Sequence, residues 1–124
     1  MAAAGDDLRK ALHERRLKLA EYAGSDTVVE LTQLFQARTP ALLATLREAV
    51  RTADVKQVQA TAHALKGSSA NIGATEMSKA CAELETLARA GGLDNATALV
   101  AHIDREYEHV LAILPELPPL PPDV

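Results

Sequence analysis

The sequence predicts an all-α fold: an antiparallel up-down-up-down four-helix bundle with an additional N-terminal helix. Hydrophobic residues make up 48% of the 124 positions but aromatics only 2%, so alanine and leucine supply the apolar bulk and favour helix over strand. Apolar positions recur every three or four residues through successive segments, the period of a helix that buries one side. Short breaks separate these segments, and short connections between long amphipathic helices favour antiparallel neighbours.

The first helix is expected from about Asp6 to Tyr22, with Leu8, Ala11, Leu12 and Leu19 on one side. Arg15, Arg16 and Lys18 form a small basic cluster that reads as a solvated face, and His13 reads as a surface residue. Gly24-Ser25-Asp26 punctuates the chain, and Ser25 or Asp26 can cap the next helix by accepting from its free N–H groups. That second helix runs to about Thr52, with Val28, Leu31, Leu34, Phe35, Leu42, Leu46, Ala49 and Val50 as its apolar set. Pro40 lacks a backbone N–H and crowds the preceding turn, which predicts a kink or short break near Arg38-Thr39.

Asp54 suits the cap of the third helix. Val55, Val58, Ala62, Leu65, Ser69 and Ile72 follow at spacings of 3-4-3-4-3, the seam of a helix packed in a bundle. Ser69 fits that seam if its hydroxyl bonds back to the helix. Asn71 and Gly73 end it, since both tolerate the left-handed conformation. A fourth helix from about Thr75 to Ala90 turns Met77, Ala80, Cys81, Leu84, Leu87 and Ala88 inward, so Cys81 reads as core. Gly91-Gly92 stops it, and Asp94 is expected to cap a fifth helix bearing Ala96, Leu99, Val100, Ile103, Tyr107, Val110 and Leu114. Residues 115–124 are proline-rich and favour extended polyproline II: a linker, a partner peptide or an inert end. The expected division is therefore a helical domain over 1–114 and a tail over 115–124.

The formal charge of −4 argues against a general nucleic-acid binder. No apolar run is long enough to span a bilayer, and the first residues lack the pattern of a signal peptide. A lone cysteine fits a reducing compartment. These features point to a cytoplasmic protein, monomeric by default, with no membrane and no nucleic-acid partner.

The chemistry concentrates on the third helix. At about 100° per residue, His63 lies off the Ala62/Leu65/Ser69 seam, neither in the core nor opposite it. Gln59, Lys66, Gly67 and Ala70 project on its side, and the bordering residues Ala60, Ala64, Gly67 and Ser68 are small. A neutral imidazole, with an ordinary pKa of about 6.5, has a lone pair that can attack phosphorus. Lys66 can stabilise phosphoryl oxygens as a point charge. Gly67 costs roughly 1 kcal/mol against alanine inside a helix, so it needs a reason, and close approach by another protein supplies one. Gln59, Ala60, Ala64, Gly67, Ser68 and Ala70 are accordingly the candidate docking surface.

A histidine and a lysine one turn apart are by themselves usually a solvated face. Ser68 and Ser69 suggest packing more than nucleophilic catalysis, because no acid and second histidine are spaced to complete a triad. His102, Glu106 and His109 share one side of the last helix, but two histidines seven residues apart make a poor chelate, and no metal site is expected.

His63-Ala64-Leu65-Lys66-Gly67-Ser68-Ser69, followed by Asn71-Ile72-Gly73-Ala74, resembles the signature of histidine-containing phosphotransfer (HPt) domains. Leu31-Leu34-Phe35, Cys81-Ala82-Glu83-Leu84-Glu85 and Ile103-Asp104-Arg105-Glu106-Tyr107 are also similar to the family pattern, so the resemblance covers roughly residues 20 to 114. It implies that His63 is the phosphoacceptor of a phosphorelay intermediate in two-component signalling. Lys66 and Gly67 would be the phosphate-supporting and close-packing positions, and Glu85 a polar neighbour of the histidine. The implied partners are receiver domains of hybrid histidine kinases or response regulators. The implied carrier is neither kinase nor phosphatase and has no cofactor, Mg²⁺ being supplied by the receiver. Two other classes share this surface: an adaptor that binds without turnover, and a substrate domain phosphorylated from ATP by a kinase in trans.

Overall fold

A computed structural model describes residues 3–123. They form α1 (Ala3–Ala23), α2 (Ser25–Arg51), α3 (Val55–Ile72), α4 (Thr75–Arg89) and α5 (Ala96–Ile113), followed by a 3₁₀ turn at Leu114–Glu116. The described residues contain no strand. α2 to α5 pack each on the next, and α5 closes back on α2, which makes the expected four-helix bundle. α1 lies chiefly against α2 and reaches the other three helices at its edges. Leu12, Leu46, Leu65, Ile72, Met77, Leu84 and Ile103 are wholly buried between them. Burial of a side chain of this size stabilises by roughly 1.5–3 kcal/mol.

α3 follows its sequence signals closely. The Asp54 side chain accepts from the Gln57 N–H at 3.2 Å, satisfying one of the donors a helix start leaves free. Val58, Ala62, Leu65, Ser69 and Ile72 are buried, and the Ser69 hydroxyl donates to the Leu65 carbonyl at 2.6 Å. Gly73 ends the helix in the left-handed conformation, with φ of 88°. It has a second function: a Cβ there would stand 2.5 Å from the Ala11 carbonyl oxygen and 2.8 Å from Arg15 Cβ. The backbone of α1 therefore crosses directly over the α3–α4 turn.

α2 departs from expectation in three ways. First, no break occurs at Pro40, and the helix is continuous from Ser25 to Arg51. The carbonyl four residues before the proline, that of Gln36, loses its intrahelical donor. The Tyr107 hydroxyl of α5 donates to that carbonyl at 3.2 Å, and its ring stands edge-on to Phe35 with centroids 5.6 Å apart. Second, the buried positions are Val28, Thr32, Phe35, Thr39, Leu43, Leu46 and Ala49. Thr32 and Thr39 enter the core because their hydroxyls donate to the Val28 and Phe35 carbonyls at 2.8 and 2.6 Å. Leu31, Leu42 and Val50 are only half-buried, and Leu34 is 43% exposed.

Third, neither Ser25 nor Asp26 caps α2. Gly24 occupies the cap position without a side-chain bond, and the Asp123 carboxylate accepts from the Ser25 and Asp26 N–H groups at 2.6 and 3.2 Å. The Ser25 hydroxyl donates to the Pro121 carbonyl at 2.5 Å. Packing thus runs past residue 114: Leu117 joins the core, Arg9 pairs with Glu116 at 3.1 Å, and the chain returns to the α1–α2 junction. A cap also differs at α5, where Asn95, at φ of 69° and without a side-chain bond, takes the place expected for Asp94.

The basic cluster of α1 is not a free solvated face. Arg15 donates to the Asn71 carbonyl and Arg16 to the Thr32 hydroxyl, both at 3.3 Å, tying α1 to α3 and α2. His13, expected at the surface, is half-buried, and its Nδ1 is out of contact with solvent. Cys81 is buried as expected, and burial pushes its thiol up to about 12.

Candidate functional site

His63 stands in the middle of α3 with its side chain 68% exposed, as the helical phase requires of a residue beside the seam. Behind it, on α4, lies Glu85, whose side chain is only 5% exposed. His63 Nδ1 is 2.8 Å from Glu85 Oε2, and Lys66 Nζ donates to Glu85 Oε1 at 2.5 Å. Arg89, one turn further along α4, donates to Oε2 at 3.1 Å. No described residue engages His63 Nε2.

A carboxylate so far from water would ordinarily be costly. The hydrogen bond from Lys66, with lesser help from His63, holds the Glu85 carboxyl below the usual range against the opposing effect of burial. Glu85 is thus ionised at neutral pH and joins α3 to α4 directly behind the imidazole.

The small residues around His63 lie where helical geometry puts them. Ala60, Ala64, Gly67 and Ala70 are exposed, while Gln59 and Ser68 are half-buried. A Cβ added to Gly67 would meet no atom within 4 Å, so nothing inside the protein requires a glycine there. Ser68 and Ser69 return their hydroxyls to the Leu65 carbonyl at 3.3 and 2.6 Å, a packing arrangement. On α5, His109 Nδ1 is 3.8 Å from Glu106 Oε2, a contact confined to neighbouring turns of one helix.

Beside His63 runs a groove of about 430 Å³ between α2 and α3. Ala64, Gly67 and Ser68 line one wall with His63, and Leu31, Leu34, Arg38 and Leu42 line the other. Gln59, Ala60 and Ala70 lie outside it.

A model of the Hpt domain matches residues 30–113. The chain belongs to the Hpt family. Phosphorelay proteins LuxU from two strains of Vibrio vulnificus, YJ016 and CMCP6, are each 30% identical over 105 residues, covering 83% of this chain and 91% of theirs. The crystal structure of histidine-containing phosphotransfer protein B (HptB) from Pseudomonas aeruginosa PAO1 superposes with a TM-score of 0.72. It is 31% identical, with 82% of this chain and 85% of that one covered. His63, Lys66, Gly67, Glu85 and both groove walls fall within the Hpt match, whereas α1 and the Asp123 clasp fall outside it.

Two parts of this Hpt site escaped sequence reasoning. The α2 wall was one, because its leucines were assigned to the core. The available signal was surplus: Thr32, Phe35 and Thr39 complete the seam, so Leu31, Leu34 and Leu42 are more large apolar side chains than one seam can bury. Arg89 was the other. Its spacing of four from Glu85 on a helix was the clue.

Proposed function

We propose that this Hpt protein carries the phosphoryl group of a phosphorelay on His63, taking it from a receiver-domain phospho-aspartate and passing it to an aspartate of another receiver. The observation that carries the reading is an exposed imidazole whose Nδ1 is anchored on a buried carboxylate, leaving Nε2 open to a partner. The Nε2 lone pair forms the N–P bond in line as the P–O bond to the aspartate breaks. The breaking bond's electron pair leaves with the aspartate carboxylate. Lys66, 35% exposed and one turn along α3 from His63, supplies the positive charge that steadies the phosphoryl oxygens.

The receiver docks along the α2–α3 groove, with Gly67 admitting its backbone and the rim of Gln59, Ala60, Ala64, Ser68 and Ala70 offering little bulk. The naming of LuxU as a phosphorelay protein supports this reading. Donor and acceptor are receivers of hybrid histidine kinases or response regulators, and they bring the Mg²⁺ that transfer uses. The carrier itself has neither autokinase nor phosphatase activity. It works as a cytoplasmic monomer, and no helix among the described residues is long and apolar enough to cross a membrane.

The test is incubation with a radiolabelled phospho-receiver. Wild type gains acid-labile label, and His63→Gln gains none while keeping its helical circular dichroism and melting temperature, since the site is exposed. Label on the His63→Gln variant would sink the assignment. A parallel incubation with a kinase and ATP separates relay from direct kinase substrate: the carrier takes label from the receiver alone.

A further inference from the structure

α1 is a fifth helix laid on a four-helix bundle, and it leans on α2. It reaches α5 only at its edge, and a groove of about 690 Å³ stays open between the two. Leu8 and Ala11 of α1 and Ala112 and Ile113 of α5 form its apolar floor. The lining runs from Gly5 to Ala11 on α1 and from Glu106 to Ile113 on α5, so the groove follows about two turns of each helix. It shares no residue with the groove beside His63, and its α1 half lies outside the Hpt match.

Three carboxylates rim this floor: Asp7 of α1, Glu76 at the start of α4 and Glu106 of α5. Glu76 makes a 3.5 Å contact with the exposed Lys79, and Asp7 has no ion pair among the described residues. Glu106 is the sharper case. Its side chain is only 16% exposed. The one cation within 4 Å among the described residues, His109 Nδ1, stands 3.8 Å away, beyond hydrogen-bond length. A carboxylate withdrawn this far from water normally has a donor, and here the space beside it is the groove.

We propose that this groove is a second docking surface, independent of His63, for a basic amphipathic helix of a partner protein. Charge identifies the occupant. Three carboxylates against one histidine call for lysine or arginine, and the apolar floor between them calls for leucine-sized side chains. A bare cation is a poorer match, since no cluster among the described residues could hold a metal ion. A helix with apolar residues at i, i+3 or i+4, and i+7 lays them along the floor between α1 and α5. Its flanking cations reach Asp7, Glu76 and Glu106, and Glu106 gains the donor that the fold withholds. The seated helix completes the layer that α1 leaves half-built. Because the two grooves are separate, a partner held here leaves His63 free.

The probe is a synthetic peptide of about 14 residues, long enough to form a helix on binding, with leucine at the i, i+3, i+4 and i+7 positions and lysine elsewhere. Titrated into the ¹⁵N-labelled full chain, it is expected to shift the amide signals of Leu8, Ala11, Glu106 and Ala112. Those of Leu31, Leu34 and Gly67 should stay in place. Glu106→Gln should weaken binding about fivefold. Ala112→Arg, which puts bulk on the floor and a cation among the carboxylates at an exposed position, should reduce binding below detection. Both variants should keep the wild-type melting temperature, and saturating peptide should leave transfer from a charged receiver at the wild-type rate. The mapping holds or fails whether or not His63 accepts phosphate. Absence of shifts at the groove refutes the proposal outright, and shifts centred on Leu31 and Leu34, or inhibition of transfer, overturn the independence of the two surfaces. Equal binding by a scrambled peptide would reduce the groove to a patch of charge, and equal binding by hexylamine would make it a small-molecule pocket; either result removes the helix.

Discussion

Gly67 and Gly73 stand on the same helix segment and answer to opposite demands. At Gly73 a side chain would strike the α1 backbone and would also have to adopt φ of 88°, so the fold itself requires glycine. At Gly67 a side chain would meet nothing, in a regular helix where glycine is a liability. The first region is closed by its own chain, through Ala11, Arg15 and the Arg15–Asn71 bond. The second is left open beside His63 and the groove. A glycine with an internal reason reports packing; one without points outward, to something that approaches.

The comparison breaks most readily at the closed end. Gly73→Ala is expected to cost about 2–4 kcal/mol, from positive-φ strain plus a contact with backbone that cannot rotate away. Urea unfolding measures it, and a loss under about 1 kcal/mol would mean that α1 yields and the two glycines are alike. At the open end the sign reverses. Gly67→Ala should raise stability by about 0.5–1 kcal/mol, while Gly67→Gln should weaken receiver transfer without a matching loss of stability. Transfer by Gly67→Gln at the wild-type rate would count against close approach.

The smallest effect belongs to Asp123. The Ser25 N–H, then the Asp26 N–H, holds its carboxyl below the ordinary value, so its clasp on α2 is complete at neutral pH. That stabilisation is lost as pH falls below about 4 and through the lowered value. Melting temperatures of wild type and Asp123→Asn should differ at pH 7 and converge in acid; a gap that persists in acid would remove the carboxylate from the account.

Legibility followed the range of the interactions. α3 could be read almost completely because its cap, seam and terminal glycine are all local signals that agree. α2 could be read only in outline. Periodicity identifies its apolar residues but not which of two adjoining stripes meets the bundle, so Leu31, Leu34 and Leu42 passed for core. The rule for Pro40 was sound as far as the missing N–H, but the remedy comes from Tyr107, 71 positions away. The cap of α2 comes from Asp123, 98 positions from Ser25. His63 was legible from its motif and Glu85 through the family pattern. The convergence of Lys66, His63 and Arg89 on one carboxylate exists only once α4 lies against α3.

The Asp123 clasp also bears on how the protein can be handled. It delivers the end of the described chain to Ser25, roughly 9 Å along the α2 axis from Leu31, the first leucine of the groove. An affinity tag or fluorescent fusion attached after Asp123 would therefore start at the N-terminal end of α2, the helix that carries one wall of the groove. One attached there through a short linker would also pull on the carboxylate that starts α2.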